Sequence, residues 1–124
     1  MWRFFLTNTW SGFFFLSILN PIPQPAVFIR AEAVTEVGLF SEQLKYVMDY
    51  EYWLRLFRIF GPPIVLSQPL AAFRIHADSK GSTNFSAQFV EEYQIAKQFT
   101  NNWLALLMHW LHNQLILYVY RLIK

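Results

Sequence analysis

The sequence predicts an α/β chain: short strands and helices share the first 86 residues, and two longer helices follow. Three observations carry that prediction. Apolar runs of strand length, Ala26–Ile29, Ile64–Leu66 and Leu70–His76, lie near proline or glycine punctuation. Between the first and second, Tyr50, Trp53, Leu54, Phe57 and Phe60 recur at the 3.6-residue spacing of a helix with one buried face. Beyond Ser86 the pattern is helical to Phe99 and helical again from about Asn102.

Taken in order, Thr9–Leu19 reads as a helix weakened by Gly12 and stopped before Pro21, because a residue preceding proline avoids helical backbone. Asn20–Pro25 is an extended connector. Ala26–Ile29 is a strand buried on both faces. Arg30–Val37 is a two-turn helix with Ala33, Val34 and Val37 on one side, and Gly38 stops it in the C′ position. Residues 39–46 form a loop containing a turn. Asp49 opens the best-defined helix, which ends at Gly61, Pro62 and Pro63. Gln68 and Pro69 separate the second and third strands, and Ala77–Ser86 is a polar loop.

At 124 residues the chain fits one domain. It is 55% hydrophobic, 19% aromatic and only 15% charged, against about 25% charged in ordinary globular proteins. So little charge barely covers a surface, which implies a membrane-surface protein, an obligate complex or a piece of a larger domain. The net charge of +2 is scattered, and a nucleic-acid footprint needs a basic patch. No nucleic-acid partner is expected. The absence of cysteine excludes disulfides and thiolate metal sites. The run Phe13–Leu19 after Arg3 lacks a small-x-small cleavage pattern, so it does not read as a signal peptide. Trp103–Ile123 is long enough to span a bilayer, but His109, His112, Asn113 and Gln114 stand at its centre. The segment reads as an apolar helix with a narrow polar stripe. It either lies in a membrane interface, with Trp103, Trp110, Tyr118 and Tyr120 as anchors, or packs on other protein.

Four blocks carry a resemblance: Gln24–Arg30, Val37–Phe40, Met48–Leu56 (Met48-Asp49-Tyr50-Glu51-Tyr52-Trp53-Leu54-Arg55-Leu56) and Phe73–His76 with Ser79 and Lys80. In this order and spacing they resemble the C-terminal, acceptor-side half of family 2 glycosyltransferases, over about Leu19 to Lys80. The resemblance implies a partial GT-A fold, a Rossmann-like α/β sandwich, for residues 1–86, with residues 87–124 as a helical extension. It also implies sugar transfer, usually with inversion, from a nucleotide-diphosphate donor. In that family the N-terminal half carries an Asp-x-Asp motif that holds a divalent metal, Mg²⁺ or Mn²⁺. This chain has no Asp-x-Asp. A truncated gene, or a start at an internal methionine, is therefore expected, with no activity and no strong metal binding by the chain alone.

Asp49 falls on the family's general-base position. Such a base needs a carboxylate within hydrogen-bond reach of the acceptor hydroxyl, and terminal helix N–H groups keep it ionised. The plain alternative is a first-turn acid that stabilises the helix dipole. Glu51 lies about 200° around the helix from Asp49, so the two cannot form a dyad, while its i, i+4 spacing to Arg55 reads as structural. Trp53 offers a ring to a sugar or belongs to the core. Arg74 and His76 alternate with Phe73 and Ile75 and share one side of a strand. By the resemblance, His76 approaches the metal or the phosphates, while Arg74, Ser79 and Lys80 stabilise the leaving diphosphate. Gln24 borders the acceptor cleft. His109 and His112 lack further ligands at metal spacing and read as polar-stripe residues.

The expected function is thus the acceptor side of an inverting glycosyltransferase. Its partners would be a nucleotide-diphosphate sugar and a glycan or lipid-linked acceptor, in the cytoplasm at the inner face of the plasma membrane. The alternative is a non-catalytic module that binds a membrane or a protein partner.

Overall fold

The structure, a computed structural model, describes residues 12–72 and 84–123. Among them every regular element is helical: α1 (Phe13–Leu16), a 3-10 turn (Gln24–Ala26), α2 (Ala31–Val37), α3 (Met48–Phe60), α4 (Phe85–Phe99) and α5 (Trp103–Ile123). No described residue is in a strand. This corrects the α/β expectation, and with it the partial GT-A, Rossmann-like half. A strand exists only as a ladder with a neighbour, whereas a helix closes its hydrogen bonds within itself. Val27 has extended backbone (φ −101°, ψ 130°) but joins no ladder. The Ala26–Ile29 run, expected to be buried on both faces, leaves Phe28 81% exposed. Ile64 and Leu66 are likewise exposed and unpaired, and Leu70–Ala72 is exposed coil. Residues 73–76 of the third run lie outside the described residues.

The helices follow their local signals more closely. α1 is a single turn that ends well short of Pro21, where the Ser17 N–H and Oγ both donate to Phe13 O, at 3.0 and 2.8 Å. α2 stops at Gly38, whose backbone (φ 87°, ψ −171°) lies in a region that only glycine adopts without strain. α5 starts where Asn102 Oδ1 accepts from the N–H groups of Leu104 (3.0 Å) and Ala105 (3.2 Å), a side-chain N-cap.

α3 is the hub, touching α1, α2 and α4. Its N-terminus is capped from a distance. The Glu91 carboxylate on α4 accepts from the backbone N–H groups of Lys45 (3.0 Å), Tyr46 (2.7 Å) and Val47 (3.1 Å), just before the helix begins. Its flank grips the end of α2. Arg55 donates to Val37 O (2.8 Å) and Leu39 O (2.9 Å), Tyr52 Oη donates to Gly38 O (2.8 Å), and Glu51 Oε1 holds Arg55 Nε at 2.7 Å. The i, i+4 pair is therefore structural, as its spacing predicts. Three consecutive carbonyls at the C-terminal end of α2, those of Val37, Gly38 and Leu39, are satisfied from one helix.

The core gathers Leu16, Val47, Tyr50, Tyr52, Trp53, Leu54, Ile95 and Ala96. Tyr50, Trp53 and Leu54 are buried as the periodicity predicts, Phe57 is half-buried, and Phe60 is exposed near the helix end. Tyr52 lies outside the predicted stripe yet is buried, because its ring stacks on Phe40 with centroids 4.1 Å apart.

Two substitutions test this framework by urea denaturation. Tyr50→Phe strands the buried Leu16 carbonyl, which Tyr50 Oη reaches at 2.7 Å, and is expected to cost about 1–3 kcal/mol. Gly38→Ala places a Cβ on glycine-only backbone and is expected to cost about 1–3 kcal/mol. An unchanged midpoint in either variant removes that contact from the framework.

Candidate functional site

Asp49 occupies the first turn of α3, one residue after the helix begins. It is half-buried. Its Oδ1 accepts from the Tyr50 N–H at 2.7 Å, and the side chain of Asn20 donates to the same carboxylate. The Asn20 Oδ1 is buried and has no partner, so the Asn20 amide spends its donor on Asp49 and leaves its acceptor idle. Burial raises the Asp49 pKa above the ordinary carboxylate value. The hydrogen bonds from Tyr50 and Asn20 oppose that shift, the negative charge of Glu92 adds to it, and desolvation wins. A carboxylate oriented by two donors yet raised in pKa is suited to taking a proton.

The other predicted residues are placed as follows. Trp53 is 4% exposed, packed in the core edge-on to Tyr52, which leaves no ring face for a sugar; its Nε1 is buried without a partner. Gln24 opens the 3-10 turn with its side chain exposed. Arg74, His76, Ser79 and Lys80 all lie outside the described residues. Of the two that are described, neither Gln24 nor Trp53 bonds to the Asp49 carboxylate. Instead the structure brings Asn20 to it, which sequence reading placed only in a connector.

A second polar centre was not legible in the sequence. His109 on α5 is fully buried; its Nδ1 donates to Ser17 O at 2.8 Å and its Nε2 faces Glu92 Oε1 at 3.3 Å. Tyr93 and Tyr50 stand edge-on to the ring, at 5.6 and 6.3 Å. Tyr50 shares this centre, and burial together with the Glu92 charge drives its pKa far up, so its hydroxyl stays a neutral donor. This centre is closed to substrate, and its work is structural. The only signal for it was a histidine and an asparagine at i, i+4 in an otherwise apolar helix.

A shallow groove of about 520 Å³ lies between the loop before α3 and the start of α4, lined by Lys45, Tyr46, Asn84, Ser86, Ala87, Val90, Glu91 and Gln94. Asp49 does not line it. Among the described residues no three of His, Asp and Glu come together as a metal site requires, so the described residues do not fit the divalent ion that the resemblance implies. Among the described residues, no helix is long and apolar enough to cross a membrane.

The raised pKa of Asp49 fixes a sign. Folding raises the pKa, so the native state binds this proton more tightly than the unfolded chain. Stability is therefore lost as pH climbs from the ordinary carboxylate value through the native one, and the full penalty holds above both. Asp49→Asn is expected to raise Tm at about pH 7, with the gain fading by about pH 3. A lower Tm at neutral pH would show instead that the carboxylate works as a helix-stabilising first-turn acid.

No protein-family model, no curated protein and no solved structure matches this chain.

Proposed function

We propose that the chain supplies the acceptor side of an inverting sugar transfer, with Asp49 as the general base. The observation that carries this reading is the carboxylate itself: held by Tyr50 and Asn20 at the start of α3, and raised in pKa by burial. The ordered blocks around it, from Gln24–Arg30 to Phe73–Lys80, supply the reaction class by resemblance.

In this chemistry an acceptor hydroxyl gives its proton to Asp49 as its oxygen bonds to the anomeric carbon. The bond from that carbon to the diphosphate breaks on the opposite face, and the nucleoside diphosphate leaves with the electron pair. The base matters because the alcohol is a poor nucleophile until its proton departs. Donor and metal would be held by a separate half that bears Asp-x-Asp, since this chain has none. Mg²⁺ or Mn²⁺ would neutralise charge on the leaving diphosphate; no step above depends on it. A non-catalytic binding module is the second reading, favoured by the apolar outer face of α5.

Joined to a nucleotide-sugar-binding half that bears Asp-x-Asp, the chain is expected to transfer sugar. Asp49→Asn should then lower kcat by about 10²–10⁴-fold, with donor binding unchanged in calorimetry. The acidic limb of the pH–rate profile should sit above the ordinary carboxylate range, matching the raised pKa. Undiminished turnover in the Asn variant removes Asp49 from the chemistry.

A further inference from the structure

α5 is built inside out for a helix in water. Its polar residues His109 and Asn113 are buried, at 0% and 4% exposure, turned toward Ser17, Glu92 and Phe89. The opposite side is left to Trp103, Leu107, Leu111, Leu115, Tyr118 and Leu122, all exposed, Trp103 to 73%. At 100° per residue these six fall within an arc of about 120°, and 21 residues make a stripe roughly 30 Å long. Exposed apolar surface this continuous marks an interaction face.

The chemistry of the stripe selects its occupant. A specific protein interface spreads about one hydrogen bond over every 100–200 Å², yet the side chains here offer little beyond Gln114, Arg121 and the Tyr118 hydroxyl. Hydrocarbon asks for none. α5 carries no acidic residue; Arg121 near its end is its one charge, Lys124 follows it in the sequence, and the chain as a whole is +2. The balance suits a negatively charged surface. Aromatic residues with polar tips, Trp103 at one end and Tyr118 and Tyr120 toward the other, are the types that settle at a bilayer's headgroup level. α5 is also too polar to cross.

We infer that α5 docks in the plane of an anionic phospholipid surface, its Trp103–Leu122 stripe sunk to the acyl boundary and Arg121 on the phosphates. This stands apart from the reading of Asp49: either can fail without the other.

The test is co-sedimentation of the full chain with vesicles of phosphatidylcholine containing phosphatidylglycerol, and with vesicles of phosphatidylcholine alone. The chain should pellet with the anionic vesicles and far less with the neutral ones. Leu111→Glu with Leu115→Glu, both on the exposed side, should lower the anionic partition coefficient by at least about tenfold, with circular dichroism and thermal melting unchanged. Arg121→Glu, a second route that leaves the stripe intact, should weaken anionic binding and leave neutral binding as it was. A folded chain that stays in the supernatant overturns the inference. So does pelleting that all three substitutions leave unaltered. A dimer in sedimentation equilibrium that the two Leu→Glu changes dissociate, without vesicle binding, would assign the stripe to a second copy of the chain.

Discussion

Everything in this fold hangs from two carbonyls at the end of a one-turn helix. Leu16 O and Ser17 O, just past the reach of α1's own amides, are taken by Tyr50 Oη from α3 and His109 Nδ1 from α5. The other nitrogen of His109 faces Glu92 on α4. Four helices therefore meet at a polar point inside an apolar shell. Leaving either carbonyl unpaired away from water would cost more than the pairing gains.

How much of this was legible follows from how far apart the partners lie. α3 could be read because its evidence is local: repeats of three and four residues, an i, i+4 Glu51–Arg55 pair, and glycines at Gly38 and Gly61 where helices stop. Asp49 was legible for the same reason, as an acid at a helix start. The strands failed because an apolar run of three or four residues has no period of its own, and its identity is settled only by a neighbour. No neighbour among the described residues arrives for Ile64–Leu66, and it stays open to solvent. The Glu91 cap on α3 reaches across 44 to 46 residues, and the His109–Ser17 bond across 92. No spacing rule carries over such distances.

Asp49 and Tyr50 both feel the charge of Glu92. Burial raises the pKa of both Asp49 and Tyr50, and the carboxylate that serves the fold at His109 adds negative charge near each. In Tyr50 the lift costs the fold nothing, since the phenol is a neutral donor to Leu16 O at neutral pH either way. In Asp49 it works against the fold, since a half-buried carboxylate with a raised pKa destabilises the native state at neutral pH. The first-turn reading of Asp49 as a dipole partner explains its position but not its desolvation.

The orientation of α5 follows from the same centre. A helix in water ordinarily turns its apolar side inward and spends its polar side on solvent. Here the inward side must satisfy Ser17 O and face Glu92, so His109 and Asn113 are drawn in. Gln114, Arg121 and half-buried His112 are then the polar side chains left for every other direction, and leucine and tryptophan face outward by default. The shortage of charge in the composition, 15% of residues, thus reappears as a particular surface on a particular helix. Making α5 soluble on its outer side would leave the four-helix junction untouched, because no contact at that junction uses an outward residue. The apolar stripe therefore serves no contact at that junction.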